Sequence, residues 1–108
     1  MNAMSIRVDA TRLQQFQGKV VRVMGRCELF NTNDMRGKLE SNGPIPIKSP
    51  SQILEAGKNY EIIGRIGSGD DLTVQVYTMT ELSDDFNLEV AKKLVDFVHK
   101  VPELFYTT

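Results

Sequence analysis

The stretch "VVRVMGRCE" (residues 20–28) is echoed later in the chain by "YEIIGRIG" (residues 60–67). Each is an apolar run of strand type that ends in a glycine followed by an arginine, Gly25-Arg26 and Gly64-Arg65. A glycine inside a strand commonly marks a sharp bend or a bulge. A small sheet needs such bends to close on itself, so Gly25 and Gly64 are predicted to be the bend glycines of a barrel.

Other segments complete a set of five predicted strands. "MRGKLE" (35–40) is a weaker strand between the turns "NTND" and "SNG". "PIPIK" (44–48) contains two prolines that cannot donate ladder hydrogen bonds, so it is expected at an edge or beside a bulge. Residues 58–66 and 72–82 are longer strands joined by "GSGDD", whose glycines and aspartates are typical of a hairpin.

Helical patterns flank the strands. Asp9 is a plausible N-cap for one or two turns that carry Leu13 and Phe16, and a longer helical period runs over 87–101 until Pro102 stops it. The prediction is an all-β protein: a five-stranded barrel of the oligonucleotide/oligosaccharide-binding type (OB-fold) with a short N-terminal helical segment and a C-terminal α-helix. One domain is expected over 1–108, with an N-terminal extension (1–17), the barrel (18–83) and the helix (87–101).

Composition limits the functional classes. The 108 residues suit one soluble domain, and a net charge of −1 argues against a nucleic-acid binder that works by its overall field. The single cysteine, Cys27, permits no internal disulfide, and a cytosolic or nuclear protein is expected. No apolar stretch approaches the roughly 20 residues of a membrane helix, so no membrane span is expected.

The C-terminal helix has an unusually wide apolar face. At about 100° per residue, its apolar residues fill roughly half of the circumference, more than a helix needs to cover its own domain. The residues Val90, Leu94, Phe97 and Val101 are spaced four, three and four apart, as in a helix packed along other helices. We expect a partner interface there. It is predicted to comprise Val90, Leu94, Phe97 and Val101 with Leu88, Ala91 and Val98, while Val95, together with Ala91 and Val98, rests on the barrel. The alternative is a helix buried deeply on its own barrel.

Four stretches together resemble the smallest subunit of replication protein A, the eukaryotic heterotrimer that coats single-stranded DNA. They are "RVDATRLQQF", "GKVVRVMGR", "YEIIGR" and "FNLEVAKKLVDFVHKVPELFY", and the resemblance spans residues 7–106. It implies a nuclear protein whose C-terminal helix joins one helix from each of two larger OB-fold subunits. It also implies that most of the DNA affinity lies in those larger subunits, and it carries over no catalytic residue and no cofactor.

The usual nucleic-acid face of the barrel is poorly equipped in this sequence. Stacking rings are absent from residues 35–48, and Asp70 and Asp71 in the last hairpin would repel phosphate. A weak contact is predicted from four residues near the first loop: Arg26, Phe30, Arg36 and Lys38. Core packing is the alternative for Phe30, and packing roles are expected for Tyr60 and Tyr77.

The sequence motifs give little support for catalysis or for metal binding. "GRIGSG" lacks the glycine spacing of a dinucleotide site and precedes a strand, and His99 stands on the polar helix face without a second ligand. We therefore predict no enzyme, no metal and no cofactor. Two alternatives to the heterotrimer subunit stay open: the small barrel subunit of a telomere-end complex, and a stand-alone weak oligonucleotide- or oligosaccharide-binding domain.

Overall fold

The structure, a computed structural model, describes residues 5–83 and 88–100. Within these ranges six strands precede one α-helix. They are β1 (Ile6–Arg7), β2 (Val20–Asn31), β3 (Arg36–Glu40), β4 (Pro44–Lys48), β5 (Asn59–Ile66) and β6 (Val74–Glu81), with a 3₁₀ helix (Ala10–Phe16) after β1 and helix α1 (Leu88–Lys100) after β6. The five predicted strands are β2 to β6. The sequence pattern missed β1, because two residues are too few to show an alternation.

The five long strands form a ring. Their order is β2-β3-β4-β6-β5, and β5 pairs back onto β2. The β4–β6 pair is parallel and is joined only at Ile47↔Val74 and Lys48↔Gln75. The ring is therefore a partly open five-stranded barrel, the architecture that the sequence predicted.

Strand β4 tolerates its two prolines because most of one edge is open. Strand β6 reaches only Ile47 and Lys48, and the part of β4 that contains Pro44 and Pro46 pairs with β3 alone. Because proline has no backbone N–H group, it adds no unpaired hydrogen-bond donor to this open edge.

Both echoing glycines lie where neighbouring backbone comes too close for a side chain. Gly25 separates the part of β2 that pairs with β1 from the part that pairs with β3, and a Cβ atom on it would lie 2.7 Å from the Glu40 carbonyl oxygen. Gly64 lies at the register shift between β5 and β6, where a Cβ atom would overlap the Gln75 carbonyl oxygen. Neither residue has a positive φ. Glycine is required at these two positions because neighbouring backbone leaves no room for a side chain, and not because the backbone is left-handed.

The N-terminal segment closes one end of the core. Asp9 caps the 3₁₀ helix as predicted, since its Oδ1 accepts from the Thr11 amide at 3.1 Å. Val8 and Leu13 on either side are buried with the barrel interior. The remaining members of that core come from all five long strands and the β4–β5 loop: Val21, Val23, Cys27, Leu39, Ile45, Ile47, Leu54, Tyr60, Ile62, Ile66, Val74 and Val76.

In the described part of the chain, no helix is both long and apolar enough to cross a membrane.

Candidate functional site

Helix α1 is docked on the barrel through the N-terminal segment. Arg12 Nη2, on the 3₁₀ helix, lies 3.1 Å from Asp96 Oδ1. His99 Nε2 donates to the carbonyl oxygen of Arg7 at 2.9 Å, and its ring lies 5.6 Å from the ring of Phe16. The sequence placed His99 on the polar face of the helix, and in the structure β1 and the 3₁₀ helix lie along that side of α1.

The same helix has a buried apolar face. Val95 is 3% exposed and Val98 is 2% exposed. Val98 was predicted both to rest on the barrel and to contribute to a partner interface. Its burial within the chain leaves only the first role, so Val98 is removed from the predicted interface.

A second apolar face of α1 points to solvent. Val90 is 59% exposed and Phe97 is 50% exposed, and their spacing of seven residues puts them on one side of the helix. Leu94 lies between them and is half-buried. Val101 lies outside the described residues, as do the side chains of Leu88 and Ala91. We call Val90, Leu94 and Phe97 the outer face of α1.

Of the four predicted nucleic-acid contacts, Arg26, Arg36 and Lys38 lie on the outward side of β2 and β3, whereas Phe30 packs inward. Phe30 packs against the core beside Gly37, so the packing alternative describes its ring. Lys38 forms an ion pair with Glu28, with 3.6 Å between Nζ and Oε1.

The two arginines of that set differ in their neighbours. Arg26 lies opposite Glu40 in the β2–β3 ladder. Arg36 lies opposite Lys48 in the β3–β4 ladder and lines a cavity of about 270 Å³. Arg36 shares the outward side of β3 with Lys38, and it also belongs to the cluster of side chains that lines this cavity.

That cluster is a row of solvent-facing side chains across four strands. Arg36 is in register with Lys48, Lys48 with Gln75, and Gln75 with Arg65. All four line the same cavity. We call Arg36, Lys48 and Arg65 the basic row. Sequence patterns did not indicate Lys48 and Arg65, because only the β4–β6 pairing brings the β3–β4 pair beside the β5–β6 pair.

Arg65 is held in place by two contacts. Its Nε donates to Tyr77 Oη at 3.1 Å, and its Nη1 donates to the Gly18 carbonyl oxygen at 2.5 Å. The Tyr77 ring is 46% exposed, and the packing role expected for it is wrong. Tyr60 does pack inside, where its hydroxyl accepts from the Glu55 amide at 2.8 Å.

One carboxylate shares the cavity with the basic row. Asp71 accepts a hydrogen bond from the Thr73 amide at 3.0 Å. Hydrogen bonds from the Thr73 side chain and backbone, and the nearby charge of Arg36, lower the pKa of Asp71. Asp71 is therefore ionised at neutral pH and partly neutralises the row.

Reactive or metal-binding groups are not assembled in the described chain. Cys27 is fully buried, and this burial raises the pKa of its thiol, which donates weakly to the Leu29 carbonyl oxygen. A thiol held protonated in a core is a poor nucleophile. Within residues 5–83 and 88–100, no three side chains of His, Cys, Asp or Glu converge on a possible metal position.

The geometry thus defines a class of protein: an OB-fold barrel that carries a docked C-terminal helix with an exposed apolar face. Solved structures agree on the fold. A chain of U. maydis replication protein A bound to single-stranded DNA matches with a TM-score of 0.84 and 17% identity, covering 98% of this chain and 99% of that one. The telomere capping protein Ten1 of S. pombe matches with a TM-score of 0.71 and 14% identity, covering 90% and 99%.

Sequence similarity identifies the family. The family model described as Replication factor A protein 3 matches residues 1–105. A protein of that name from Schizosaccharomyces pombe is 32% identical over 104 residues, which are 93% of this chain and 93% of the relative. The chain belongs to the Replication factor A protein 3 family. This membership confirms the resemblance predicted from the motifs and the prediction that the protein is not an enzyme.

Proposed function

We propose that this chain is the assembly subunit of a nuclear replication protein A heterotrimer, to which it contributes helix α1. In this role it binds two larger OB-fold subunits, each of which supplies a helix, and supports single-stranded DNA binding in replication, repair and recombination. Most of the DNA affinity belongs to the larger subunits.

The division of helix α1 into two apolar faces carries this proposal. Val95 and Val98 already cover the barrel, while Val90 and Phe97 on the outer face remain largely exposed. An exposed phenylalanine and valine on one side of a helix are costly in water and are characteristic of a surface that associates with other apolar helices. Family membership supports the larger subunits of replication protein A as the partners.

The proposal predicts that a charge on the outer face blocks assembly. In Val90→Asp or Phe97→Asp, the carboxylate stays in water in the free chain but enters the interface unpaired, at a cost of several kcal/mol. Co-expression with the two larger subunits, followed by affinity capture of the largest, should recover the parent chain and lose both variants. Thermal melting of the free variants should stay near that of the parent.

Two controls make this test specific. Lys93→Asp places a carboxylate on the exposed polar side of the same helix and should still be captured. Val95→Asp puts the charge against the barrel and should instead unfold the free chain. Capture of both outer-face variants at parental level would refute the interface. Loss of Lys93→Asp alongside them would show that helix stability, rather than contact, was measured.

A second candidate function is that of a small subunit in a telomere-end complex. The fold match to Ten1 favours it, although that likeness concerns the fold alone. Mass spectrometry of the proteins that co-purify with the tagged chain from its own cells separates the two functions, because each requires a different set of partner chains.

A further inference from the structure

We infer that Arg12 is a positioning residue for partner assembly. By holding Asp96, it keeps helix α1 in the orientation that leaves the outer face in water. The inference rests on the proposed function in one respect, which is that the larger subunits bind the outer face. It adds a contact in the N-terminal segment that controls whether this face is available.

The polar contacts of α1 and its outer face lie on opposite sides of the buried valines. At about 100° per residue, Asp96 lies about 100° from Val95 in one direction, and Leu94 lies about 100° from it in the other. His99, which donates to the carbonyl oxygen of Arg7, is on the Asp96 side. The rest of the outer face lies beyond Leu94. Loss of the polar contacts would therefore let the helix roll toward its outer face.

Apolar contact alone does not prevent this roll. Among the side chains of α1 that the structure describes, Val95 and Val98 are the buried ones. Burial of apolar area has no preferred direction, so these two small side chains permit several orientations of the helix. A roll would bury Phe97, which is 50% exposed, against the chain's own barrel, and the hydrophobic effect favours such burial. The rolled helix would then hide its outer face from a partner.

Arg12 opposes the roll because both ends of its guanidinium are engaged. Its Nη2 lies 3.1 Å from Asp96 Oδ1, and its Nη1 lies 3.5 Å from Asp9 Oδ1. Asp9 is 1% exposed and also accepts from the Thr11 hydroxyl and from Asn42 Nδ2, so its position is fixed. Charge-assisted hydrogen bonds of a planar guanidinium depend on direction. Arg12 thus ties one side of α1 to a fixed point on the barrel.

The first test follows the position of Phe97 in the chain without partners. The sequence contains no tryptophan, so Phe97→Trp introduces a single fluorescent reporter. Its emission should be that of a ring in water. Adding Asp96→Ala should shift the emission to shorter wavelength, because the ring moves onto the barrel. Adding Asp96→Glu, which keeps the charge, should leave the emission unchanged.

Glu28→Ala is the matched control in this assay. Glu28 is also the carboxylate of an ion pair, with Lys38, and its side chain is 43% exposed against 44% for Asp96. It lies on β2 rather than on the helix, so its loss should not change the emission of the reporter. Thermal melts at the parental temperature establish that the barrel is folded in each variant.

The second test measures affinity by titrating the labelled full-length chain with the purified pair of larger subunits. Asp96→Ala should weaken binding about two- to fivefold, the range of an exposed ion pair. Arg12→Ala should do the same, and the double variant should lose no more than either single variant, because both remove one contact. The difference between the parent and Asp96→Ala should shrink as salt rises, because salt screens an exposed pair.

The outcomes separate this inference from the proposed function. If Phe97→Asp blocks capture but Asp96→Ala keeps the parental emission and affinity, Arg12 has no positioning role and the proposed interface stands. An equal effect of Glu28→Ala, or an emission shift in Asp96→Glu, would also overturn the role of the Arg12 contact. If Phe97→Asp is captured like the parent, the interface and this inference fail together.

Discussion

Gly25 and Gly64 show how a single missing side chain can determine closure of a sheet. Each faces a backbone carbonyl oxygen of a neighbouring segment, and backbone cannot swing aside as the end of a long side chain can. A larger residue in place of Gly25 would push β2 away from Glu40 at the end of β3. A larger residue in place of Gly64 would push β5 away from β6.

We expect Gly25→Val and Gly64→Val each to lower the free energy of unfolding by about 1–3 kcal/mol or more, the usual cost of overpacking. Urea denaturation followed by circular dichroism measures this. Thr80→Val provides the control, since it puts the same side chain on an exposed strand position of β6. If the glycine variants unfold at the same urea concentration as Thr80→Val, the two glycines are not needed for closure.

At the scale of elements, Asp9 joins the 3₁₀ helix to the β3–β4 turn. It is buried, and its Oδ1 accepts from the Thr11 hydroxyl at 2.6 Å as well as from the Thr11 amide. Its Oδ2 accepts from Asn42 Nδ2 at 3.3 Å. The side chain thus acts both as a cap and as a tie between distant segments.

Asp9→Ala is expected to cost about 2 kcal/mol of unfolding free energy, because it removes a helix cap and leaves polar partners unpaired. Asp34→Ala is the matched control, since Asp34 also accepts from an amide two residues later, that of Arg36, but is exposed. Equal losses in the two variants, measured by urea denaturation, would show that Asp9 is only a local cap.

Local sequence patterns predicted the strands and helices better than they predicted how helix α1 packs against the rest of the chain. Strands β2 and β5, the Asp9 cap and the two-sided helix follow from periodicity and capping, which depend on near neighbours. The orientation of α1 does not, because it depends on His99 meeting Arg7 at the other end of the chain. For this reason the sequence left Val98 with two predicted roles and did not indicate that β1 would lie beside His99.

The basic row illustrates the same limit. Arg36, Lys48 and Arg65 are far apart in sequence, and none stands out in its own strand. The β3–β4 hairpin brings Arg36 beside Lys48, and the β4–β6 pairing then brings Arg65 into the same row. The sequence favoured Arg26, Phe30, Arg36 and Lys38, which lie close together along the chain, so it named only Arg36 of the row.

At the scale of the whole molecule, the ring is closed unevenly. Strands β2 and β5 share seven residue pairs, whereas β4 and β6 share two. Local opening follows the weakest set of backbone hydrogen bonds. The β3–β4 hairpin (residues 36–48) is therefore the part of the barrel that separates from its neighbour at the lowest free energy.

Native-state hydrogen exchange tests this uneven closure. Peptides covering residues 36–48 should exchange faster than peptides covering β5 (Asn59–Ile66), because β4 opens from β6 while β2 and β5 stay paired. Equal exchange of the hairpin and β5 would mean that the barrel opens only as a unit.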